Sequence, residues 1–437
     1  MLISLVYCNK IRLDTQKLYS LFNSCSGVSI DTRKINKDEM YFSLKGDNFD
    51  GNVFAKEAIE KGAKFSIVDD VEQKDIHDNI VYVENSLKAL QDLSNHHRSL
   101  FDTKVIGITG SNGKTTTKNL IYSILSQKYN VIKTKGNLNN HIGVPISLLN
   151  IKDDIDVAII EMGANHVGEI KRLCEIAMPD IGLITNYGYA HLEGFGSFEG
   201  VIKGKTEMFE YLTGNYGHII LNNDDKLQVE NCKGDLAVTY GSSKDSEYIF
   251  DYKKDNSSLK LKTDGFEFNS NLYGEYNFSN LASSITVGKF LDLSNEEIQE
   301  GLNKFLNDSN RSEILTFGSN NIYLDAYNAN PTSMLAAISN FENMNINNRV
   351  LILGEMLELG KYSDHEHQKI VDFVKNKDYS KVYLVGDNFS KCNTEGEYFF
   401  KFSNTDEIEQ SDSFKSLKNM NILVKGSRGV MLEKLFR

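Results

Sequence analysis

The fold of this chain is decided by the stretch Ile108-Thr-Gly-Ser-Asn-Gly-Lys-Thr-Thr-Thr117, which follows directly on the apolar residues Val105-Ile-Gly107. The pattern predicts a short buried strand, a glycine-rich turn and then a helix with Leu120, Ile121 and Ile124 on one face. Such a turn points backbone N–H groups and a helix N-terminus at a phosphate. The stretch therefore predicts a P-loop that binds a nucleoside triphosphate.

Two residues of this stretch have defined tasks in a P-loop. The amine of Lys114 reaches the β- and γ-phosphates, and the hydroxyl of Thr115 binds Mg²⁺. The match is not strict, because Ile108 stands where the pattern has its first glycine, between Gly107 and Gly110. The strand before the turn and the helix after it favour a nucleotide site over a chance Gly-Lys-Thr.

Size, charge and cysteine content narrow the class of protein. The chain has 437 residues, enough for two to four domains, and its net charge of −12 argues against a nucleic-acid binder. Five scattered cysteines indicate reduced thiols rather than a disulfide framework or a zinc site. The sequence has no run of eighteen apolar residues, and residues 1–7 are too short for a signal peptide and predict a first strand. We expect a cytoplasmic protein without a membrane span.

Strand and helix patterns predict three α/β domains. The first, residues 1–101, has short strands and a helix over 86–100. In the second, residues 102–310, apolar strands alternate with helices and predict a parallel sheet. Its expected strands are 105–109, 157–161, 181–185 and 218–221, followed by small antiparallel strands over 248–272 and helices over 278–291 and 295–305.

The alternation restarts in the third domain, residues 311–437, and predicts a second, Rossmann-like parallel sheet. Its expected strands are 322–325, 350–354, 382–385 and 422–425, with helices over 332–341 and 365–375.

Three further residues of the central domain have side chains suited to chemistry. Glu161 ends a predicted strand at the edge where open α/β sheets bind ligands, His191 follows the next strand, and Lys205 lies on the helix predicted over 198–212. Glu161 suits Mg²⁺, but it could instead pair with a lysine. A lone histidine in a loop is usually only hydrogen-bonded, and a lone lysine on a helix is usually solvated. The residues alone thus indicate an ATP and Mg²⁺ site without specifying the reaction.

A set of motifs in all three domains, in order, resembles the Mur ligase family. They are Asp31-Thr-Arg33, Leu44-Lys-Gly46, Phe49-Asp-Gly51, Thr109 to Thr116, Thr134-Lys-Gly-Asn-Leu-Asn-Asn140, Ile142-Gly-Val-Pro145, Glu161-Met-Gly-Ala164, Gly168-Glu-Ile170, Asn186-Tyr-Gly-Tyr-Ala-His191, Gly196-Ser-Phe-Glu199, Lys205, Tyr327-Asn-Ala-Asn-Pro-Thr-Ser-Met334, Leu353-Gly-Glu-Met-Leu-Glu-Leu-Gly360 and Val424-Lys-Gly-Ser-Arg-Gly429. The segment from Tyr327 to Pro331 resembles the member of the family that adds a dipeptide.

The resemblance implies an ATP-dependent amide ligase of peptidoglycan synthesis, and hence a part in cell shape and division. ATP would phosphorylate the carboxylate of a UDP-N-acetylmuramoyl-tripeptide, and the amine of D-Ala-D-Ala would attack the acyl phosphate. Two alternatives stay open: a related ligase that adds one amino acid to a muramyl peptide or glutamate to folate, and a P-loop switch protein without ligation. The chain lacks the Asn-Lys-x-Asp motif of a GTPase switch.

The resemblance also implies site residues, with Lys114, Glu161, His191 and Lys205 as the catalytic set. ATP would bind Thr109, Gly110, Ser111, Asn112, Gly113, Lys114, Thr115, Thr116, Asn277, Asn280, Arg311 and Asp325. Two Mg²⁺ ions would be held by Thr115, Glu161, His191 and a CO₂-derived carbamate on Lys205. The muramyl substrate would bind Asp31, Thr32, Arg33, Lys45, Gly46, Asp50, Gly51, Asn137, Asn139 and Asn140, and the dipeptide Asn328, Asn330, Ser427 and Arg428.

Three residues of the third domain depart from the family pattern. Asn310 stands where glycine is usual, Leu324 where a first aspartate is usual, and Glu355 where aspartate is usual. None of them belongs to the predicted phosphate or metal residues, so we expect activity. The partners implied are the two substrates, with no nucleic acid, and the protein is expected to act as a monomer.

Overall fold

The computed structural model of the protein describes residues 14–253, 258–306 and 313–436. The strand expected over residues 1–7 lies outside these ranges, as do Asn310 and Arg311. Within the described ranges, no helix combines the length and the apolar character that crossing a membrane requires. The backbone divides into two compact units: a first unit of Met1–Gly107, Asn130–Met162 and Arg172–Asp180, and a second unit of Ile108–Tyr129, Gly163–Lys171 and Ile181–Arg437.

The described chain is built from 22 strands and 16 α-helices, most of them short. Up to residue 180 they are α1 (Thr15–Phe22), β1 (Val28–Ser29), β2 (Met40–Phe42), β3 (Lys45–Gly46), β4 (Phe49–Asp50), α2 (Ala55–Glu60), β5 (Phe65–Val68), β6 (Ile80–Tyr82), α3 (Ser86–Arg98), β7 (Lys104–Thr109), α4 (Lys114–Leu125), β8 (Val131–Lys133), α5 (Gly143–Leu148), β9 (Val157–Glu161) and α6 (Glu169–Ala177). Up to residue 306 they are β10 (Ile181–Ile184), α7 (Leu192–Phe195), α8 (Phe198–Gly214), β11 (His218–Asn222), α9 (Lys226–Asn231), β12 (Ala237–Gly241), β13 (Tyr248–Ile249), β14 (Asp251–Lys253), β15 (Lys260–Thr263), β16 (Phe266–Asn269), α10 (Phe278–Phe290) and α11 (Asn295–Lys304). The remainder are β17 (Glu313–Phe317), β18 (Asn320–Asp325), α12 (Pro331–Asn343), β19 (Arg349–Gly354), α13 (Ser363–Val374), β20 (Lys381–Val385), α14 (Asp387–Ser390), β21 (Phe399–Phe402), α15 (Thr405–Gln410), α16 (Asp412–Lys415) and β22 (Asn421–Lys425).

The first unit contains a small parallel sheet in the order β1-β2-β5-β6. Its core joins α1 and α3 to this sheet through side chains such as Leu18, Phe42, Ile67 and Leu90, all of them buried. The antiparallel β3–β4 hairpin lies between β2 and β5 in the chain, and β8 pairs in parallel with β9 elsewhere in the unit. All five residues of β9 are buried, as expected of a strand covered on both faces.

In the second unit, β10, β11, β12 and β13 pair in parallel in that order. Helix α8 packs very closely on β10, since a Cβ on Gly182 would lie 2.6 Å from Leu212 Cδ1. Strands β14, β15 and β16 form a separate antiparallel sheet. Helix α4 is covered by α10 and α11, where a Cβ on Gly301 would lie 2.5 Å from the Cα of Ile124.

The second unit also contains a six-stranded sheet in the order β17-β18-β22-β19-β20-β21. The β17–β18 hairpin is antiparallel, and the other pairs are parallel. Because β22 lies between β18 and β19, the carboxyl ends of these three strands meet at one edge. Asp325 is in register with Lys425 there, and Lys425 with Leu353. Polar groups at this edge are therefore brought together by the strand order itself.

The predicted parallel strands and the helices that follow them are confirmed, with small shifts at their ends. β9 has the predicted bounds, while α12 and α8 extend by about two residues beyond the prediction. The antiparallel strands expected over 248–272 are confirmed for β14–β16, but the prediction is wrong for β13, which pairs in parallel with β12.

Replacing Ile352 by alanine tests the core of the six-stranded sheet. Ile352 is fully buried in β19, so Ile352→Ala should lower the free energy of unfolding by about 2–5 kcal/mol through lost burial and the cavity left behind. Ile314→Ala on the edge strand β17, where the side chain is 45% exposed, should cost less than about 1 kcal/mol. Urea denaturation of both variants measures the difference, and equal losses would contradict the assigned core.

Candidate active site

The loop of residues 110–113, called the nucleotide loop here, connects β7 to α4 through backbone that only glycine accommodates. Gly110 and Gly113 have φ angles of +140° and +83°. A Cβ on Gly110 would lie 1.9 Å from Thr185 Oγ1, and a Cβ on Gly113 would lie 2.3 Å from Asn280 Oδ1. The loop backbone therefore passes against two neighbouring segments with no room for a side chain.

The segment after β10 holds the nucleotide loop in place. Ser111 N–H donates to the Asn186 carbonyl at 3.0 Å, and Asn112 N–H donates to Asn186 Oδ1 at 3.1 Å. Thr185 Oγ1 and Asn186 Nδ2 both donate to the Asn112 carbonyl, at 2.5 and 3.0 Å. Ser111 Oγ donates to the Gly188 carbonyl at 3.0 Å. These bonds fix the loop in one conformation, which is what a preorganised anion site requires.

Helix α4 begins at Lys114, and its N-terminus has the features of an anion-binding site. Its N-cap is Gly113, no side chain caps it, and its first turn has no acidic residue. The Lys114 amine folds back and donates to the Gly110 carbonyl at 2.6 Å, and Thr115 is buried in the first turn. The hydroxyl of Thr109 is buried and has no hydrogen-bond partner among the described residues. Backbone N–H groups, a cation and hydroxyl oxygens thus converge here, and this donor set fits a nucleotide phosphate with Mg²⁺.

The two predicted adenine-side asparagines are buried at the start of α10 and are connected to α4. Asn280 Oδ1 accepts from the Thr117 hydroxyl at 3.2 Å, and Asn280 Nδ2 donates to Asn277 Oδ1 at 2.9 Å. Asn277 Nδ2 donates in turn to the Tyr273 carbonyl at 2.7 Å. This chain of hydrogen bonds ties the beginning of α10 to the helix that follows the nucleotide loop.

Lys205 is almost completely buried in α8, at 1% relative exposure. Its Nζ lies 5.4 Å from the centre of the Phe195 ring. Burial, and after it the positive charge of Lys114, hold the pKa of the Lys205 amine well below its usual range, while the charge of Glu169 opposes this shift. The expectation that a lone lysine on a helix is solvated is therefore wrong for Lys205, because its side chain is buried. The lowered pKa favours a neutral, nucleophilic amine at this position.

His191 precedes α7 and contacts a residue that the sequence analysis left without a role. Its Nδ1 faces Oε2 of Glu358, in the segment between β19 and α13. The contact with His191 holds the pKa of the Glu358 carboxyl below its usual range. The motif from Leu353 to Gly360 contained Glu358, but nothing in the sequence indicated that it meets His191.

The segment of residues 327–330 reaches the nucleotide loop through Asn330. Asn330 Nδ2 donates to Asn112 Oδ1 at 2.7 Å, and Asn330 Oδ1 caps α12 by accepting from Ser333 N–H at 2.9 Å. Thr332 Oγ1 also accepts from the Tyr189 N–H at 3.0 Å. Asn328 is exposed beside this contact, and its Oδ1 accepts from the following N–H group. Predicted dipeptide residues and predicted phosphate residues are thus adjacent.

At the edge of the six-stranded sheet, Asp325 pairs with a buried lysine that the sequence analysis did not single out. Lys425 Nζ lies 2.6 Å from Asp325 Oδ2 and donates to the Asn328 carbonyl at 3.3 Å. Lys425 ends an apolar strand as Glu161 does, and this is the signal that could have found it. Ser427 Oγ accepts from the Leu357 N–H at 3.0 Å, whereas Arg428 is exposed and pairs with Glu433.

In the first unit, Glu161 and Asn139 contact each other. Asn139 Nδ2 donates to Glu161 Oε1 at 2.9 Å, and Glu161 N–H donates to Thr134 Oγ1 at 3.0 Å. Asn140 Oδ1 accepts from the Gly143 N–H at the beginning of α5, at 2.9 Å, and Asn137 is exposed. Glu161, a predicted metal ligand, is therefore hydrogen-bonded to Asn139, a predicted substrate residue. Asn140 instead stabilises the beginning of α5.

The residues predicted for the UDP end lie in two loops of the first unit. Arg33 donates to both carboxylate oxygens of Asp31 at 2.8 Å, and these hydrogen bonds lower the pKa of Asp31 to about 2. On the β3–β4 hairpin, Lys45 Nζ lies 3.5 Å from Asp50 Oδ2. Gly46, which is also predicted to bind the UDP end, is exposed on the same hairpin. A Cβ on Gly51 would lie 2.7 Å from the backbone of Leu44. Thr32, half-buried, follows Asp31 in the other loop.

Two of the departures from the family pattern have local explanations. Leu324 is fully buried in the core of the six-stranded sheet. Glu355 Oε2 accepts from both the N–H and the side-chain Nδ2 of Asn388, at 3.2 and 2.8 Å. The longer side chain of Glu355 thus accepts hydrogen bonds from Asn388 of α14. Neither Leu324 nor Glu355 disturbs the nucleotide loop.

The described residues do not by themselves form a cluster of metal ligands. Among the described residues, no group of three or more His, Cys, Asp or Glu side chains could hold a metal ion alone. Mg²⁺ usually keeps several waters and binds one or two protein groups together with the phosphates of its nucleotide. The oxygen donors around α4 fit that mode of binding.

The chain belongs to the Mur ligase family. Family models match residues 24–98 (Mur ligase family, catalytic domain), 108–288 (Mur ligase middle domain) and 310–428 (Mur ligase, glutamate ligase domain), which gives a three-domain architecture. The exact boundaries at 101 and 310 stay a prediction.

Individual relatives are similar over nearly the whole length. The UDP-N-acetylmuramoyl-tripeptide–D-alanyl-D-alanine ligase of Bacillus subtilis is 33% identical over 94% of this chain and 92% of its own. The crystal structure of MurF from Acinetobacter baumannii is 26% identical with a TM-score of 0.86, covering 97% of this chain and 98% of that one. MurF ligase from Thermotoga maritima, solved in complex with ADP, is 26% identical with a TM-score of 0.83 and covers 95% and 96%.

Substituting Gly113 tests the geometry of the nucleotide loop. Gly113→Ala should cost about 1–2 kcal/mol of backbone strain and, through its clash with Asn280, abolish measurable ATP binding. Gly265→Ala is a matched control, since Gly265 has φ +81° but open space around its Cβ position. That variant should lose similar stability and keep its ATP affinity. Calorimetric titration with ATP measures both, and unchanged affinity in Gly113→Ala would contradict the assigned loop.

Proposed function

We infer that this protein is an ATP-dependent ligase that joins D-Ala-D-Ala to the terminal carboxylate of UDP-N-acetylmuramoyl-tripeptide. The named relatives support this activity. The observation that carries it is the hydrogen bond between Asn330 and Asn112. It brings the segment typical of the dipeptide-adding member against the loop that binds ATP. We place the reaction in the cytoplasm, within peptidoglycan synthesis.

The reaction proceeds in two steps that need positioning rather than a covalent protein nucleophile. The substrate carboxylate attacks the γ-phosphorus of ATP, and ADP leaves with the electrons of the broken P–O bond. The D-Ala-D-Ala amine then attacks the acyl phosphate carbon, loses a proton, and expels inorganic phosphate from the tetrahedral intermediate. Both steps move negative charge, so fixed cations and N–H donors lower their barriers.

In this proposal the nucleotide loop and Lys114 hold the phosphates. Thr115, Glu161 and His191 are the protein ligands of Mg²⁺, which supplies Lewis-acid stabilisation of the transferring phosphoryl group. Asn277 and Asn280 lie on the adenine side, and Arg311 and Asp325 reach ATP from the third domain. Lys425 orients the Asp325 carboxylate through their 2.6 Å contact.

We propose that Lys205 acts as a carbamate. The neutral amine would attack CO₂ and release one proton, and the product would be an anionic carbamate whose oxygens are suited to Mg²⁺. The burial of Lys205 and its position near Lys114 support this role, because both disfavour the protonated amine that cannot react. Lys114 also supplies positive charge to the carbamate once it forms.

In this proposal the remaining predicted residues bind the two substrates. The loops with Asp31, Arg33, Lys45 and Gly51 bind the UDP end, and Asn137 and Asn139 face the muramyl peptide. Asn328, Asn330, Ser427 and Arg428 bind D-Ala-D-Ala. Of these, Asn330 and Ser427 also hold the local backbone, so their loss should affect the shape of the site as well as dipeptide binding.

An acceptor panel tests the proposed activity. With ATP, Mg²⁺, bicarbonate and UDP-N-acetylmuramoyl-tripeptide, ADP release should require D-Ala-D-Ala and should not occur with D-Ala, L-amino acids or glutamate. Coupled detection of ADP and mass analysis of the pentapeptide product measure it. Turnover with a single amino acid in place of the dipeptide would show a related ligase instead.

Chemical rescue tests the carbamate. Lys205→Ala should lower kcat by at least about 100-fold, because a ligand of the charged transition state is lost. Short carboxylates such as formate or acetate should restore part of the activity. Lys203→Ala, on an exposed position of the same helix, is the control and should retain full activity. A Lys205→Ala enzyme with normal activity would contradict the carbamate role.

A further inference from the structure

The contact between His191 and Glu358 joins two segments far apart in sequence. His191 precedes α7, and Glu358 lies in the segment that connects β19 to α13. The ring atom Nδ1 and the carboxylate atom Oε2 face each other, and the His191 side chain is 23% exposed. Glu358 has no role in the function proposed above, on which the following argument rests for the metal-binding role of His191.

Both residues have backbone conformations that are unusual for their type. His191 has φ +52° and Glu358 has φ +62°, in the left-handed region that favours glycine. Non-glycine residues remain there only when the surrounding structure requires it, and such positions concentrate at functional sites. Because both partners of this contact have left-handed backbone, the fold holds the His191 ring and the Glu358 carboxylate in a specific relative position.

The backbone around the contact is held at two further points. Glu193 N–H donates to the Glu358 carbonyl at 3.2 Å, and Tyr362 Oη donates to the Gly196 carbonyl at 3.0 Å. Between these points, Gly360 has φ +51°, and a Cβ there would lie 3.2 Å from Glu193 Cβ. The loop of residues 191–196 and the segment of residues 358–362 are thus fixed against each other, so the carboxylate is presented to the ring in a defined position.

We propose that Glu358 is a positioning residue that orients His191 for metal binding. A neutral imidazole that donates its Nδ1–H to a carboxylate keeps the lone pair on Nε2, and this nitrogen is then the ligand. Metal-binding histidines commonly have such a carboxylate partner, which fixes the ring and raises its basicity. Since Glu358 comes from the third domain, the metal ligand is correctly oriented only when that domain contacts the loop of residues 191–196.

Mn²⁺ binding to the full-length protein tests the role of Glu358. The affinity for Mn²⁺ in the presence of ADP is measured by electron paramagnetic resonance, for the wild-type protein, Glu358→Ala, Glu358→Gln and His191→Ala. Glu358→Ala should weaken Mn²⁺ binding by about tenfold, and Glu358→Gln by about threefold because its amide oxygen still accepts from Nδ1–H. Glu193→Gln, an exposed carboxylate in the same loop, should bind Mn²⁺ as the wild type does.

The outcomes separate this inference from the function on which it rests. Mn²⁺ affinity that is unchanged in Glu358→Ala but reduced in His191→Ala overturns the role of Glu358 and leaves the ligase function intact. Unchanged affinity in His191→Ala overturns the inference together with the metal role of His191. Equal melting temperatures of Glu358→Gln and the wild type, with reduced Mn²⁺ affinity, support a positioning role over a structural one. A wild-type protein that fails to ligate D-Ala-D-Ala, with Mn²⁺ binding still dependent on Glu358, overturns the proposed function alone.

Discussion

The arrangement around the nucleotide loop depends on the close approach of its backbone to Thr185 and Asn280. Only glycine fits at the two contact points, and the loop gains its rigidity from hydrogen bonds to residues 185–188. This approach leaves the N-terminus of α4 uncapped by any side chain. The partial positive charge of this terminus therefore faces a site where a phosphate can bind.

The close packing also explains how an acidic protein can bind a highly charged nucleotide. The chain has a net charge of −12, so its overall field does not attract phosphate. Positive charge is instead concentrated locally: Lys114 follows the loop directly at the beginning of α4, and the charge of Lys114 acts on the buried Lys205. Burial and the positive charge of Lys114 both disfavour a protonated Lys205, so the neutral amine is available for chemistry.

Much of the fold could be predicted from the sequence, because buried parallel strands are continuous apolar runs. β9 and β10 are examples, since most of their residues are apolar and all of them are buried. The edge strand β17 was not predicted because it is short, has Glu and Thr among its five residues, and is half-buried or exposed throughout. The parallel pairing of β13 was missed for a similar reason: two residues are too few to show a pattern.

The candidate site was predictable where a motif places several functional groups within a few residues, as in the nucleotide loop. Contacts between distant segments were not predictable. Asn112 and Asn330 are 218 positions apart, and only the folded chain brings them together. Lys425 could have been inferred once β18 and β22 were known to be neighbours, because their register places it opposite Asp325.

Two contacts between the central segments and the third domain, that of Asn112 with Asn330 and that of His191 with Glu358, are made by polar side chains on loops. Such contacts bury little apolar surface and so contribute little stability. The left-handed conformations of His191 and Glu358 oppose them further. Because each such contact contributes little stability by itself, ligands that bind the assembled arrangement more tightly shift the equilibrium toward it in proportion to their differential affinity. Binding of the nucleotide and substrates can therefore assemble the site without any change within the cores of the sheets.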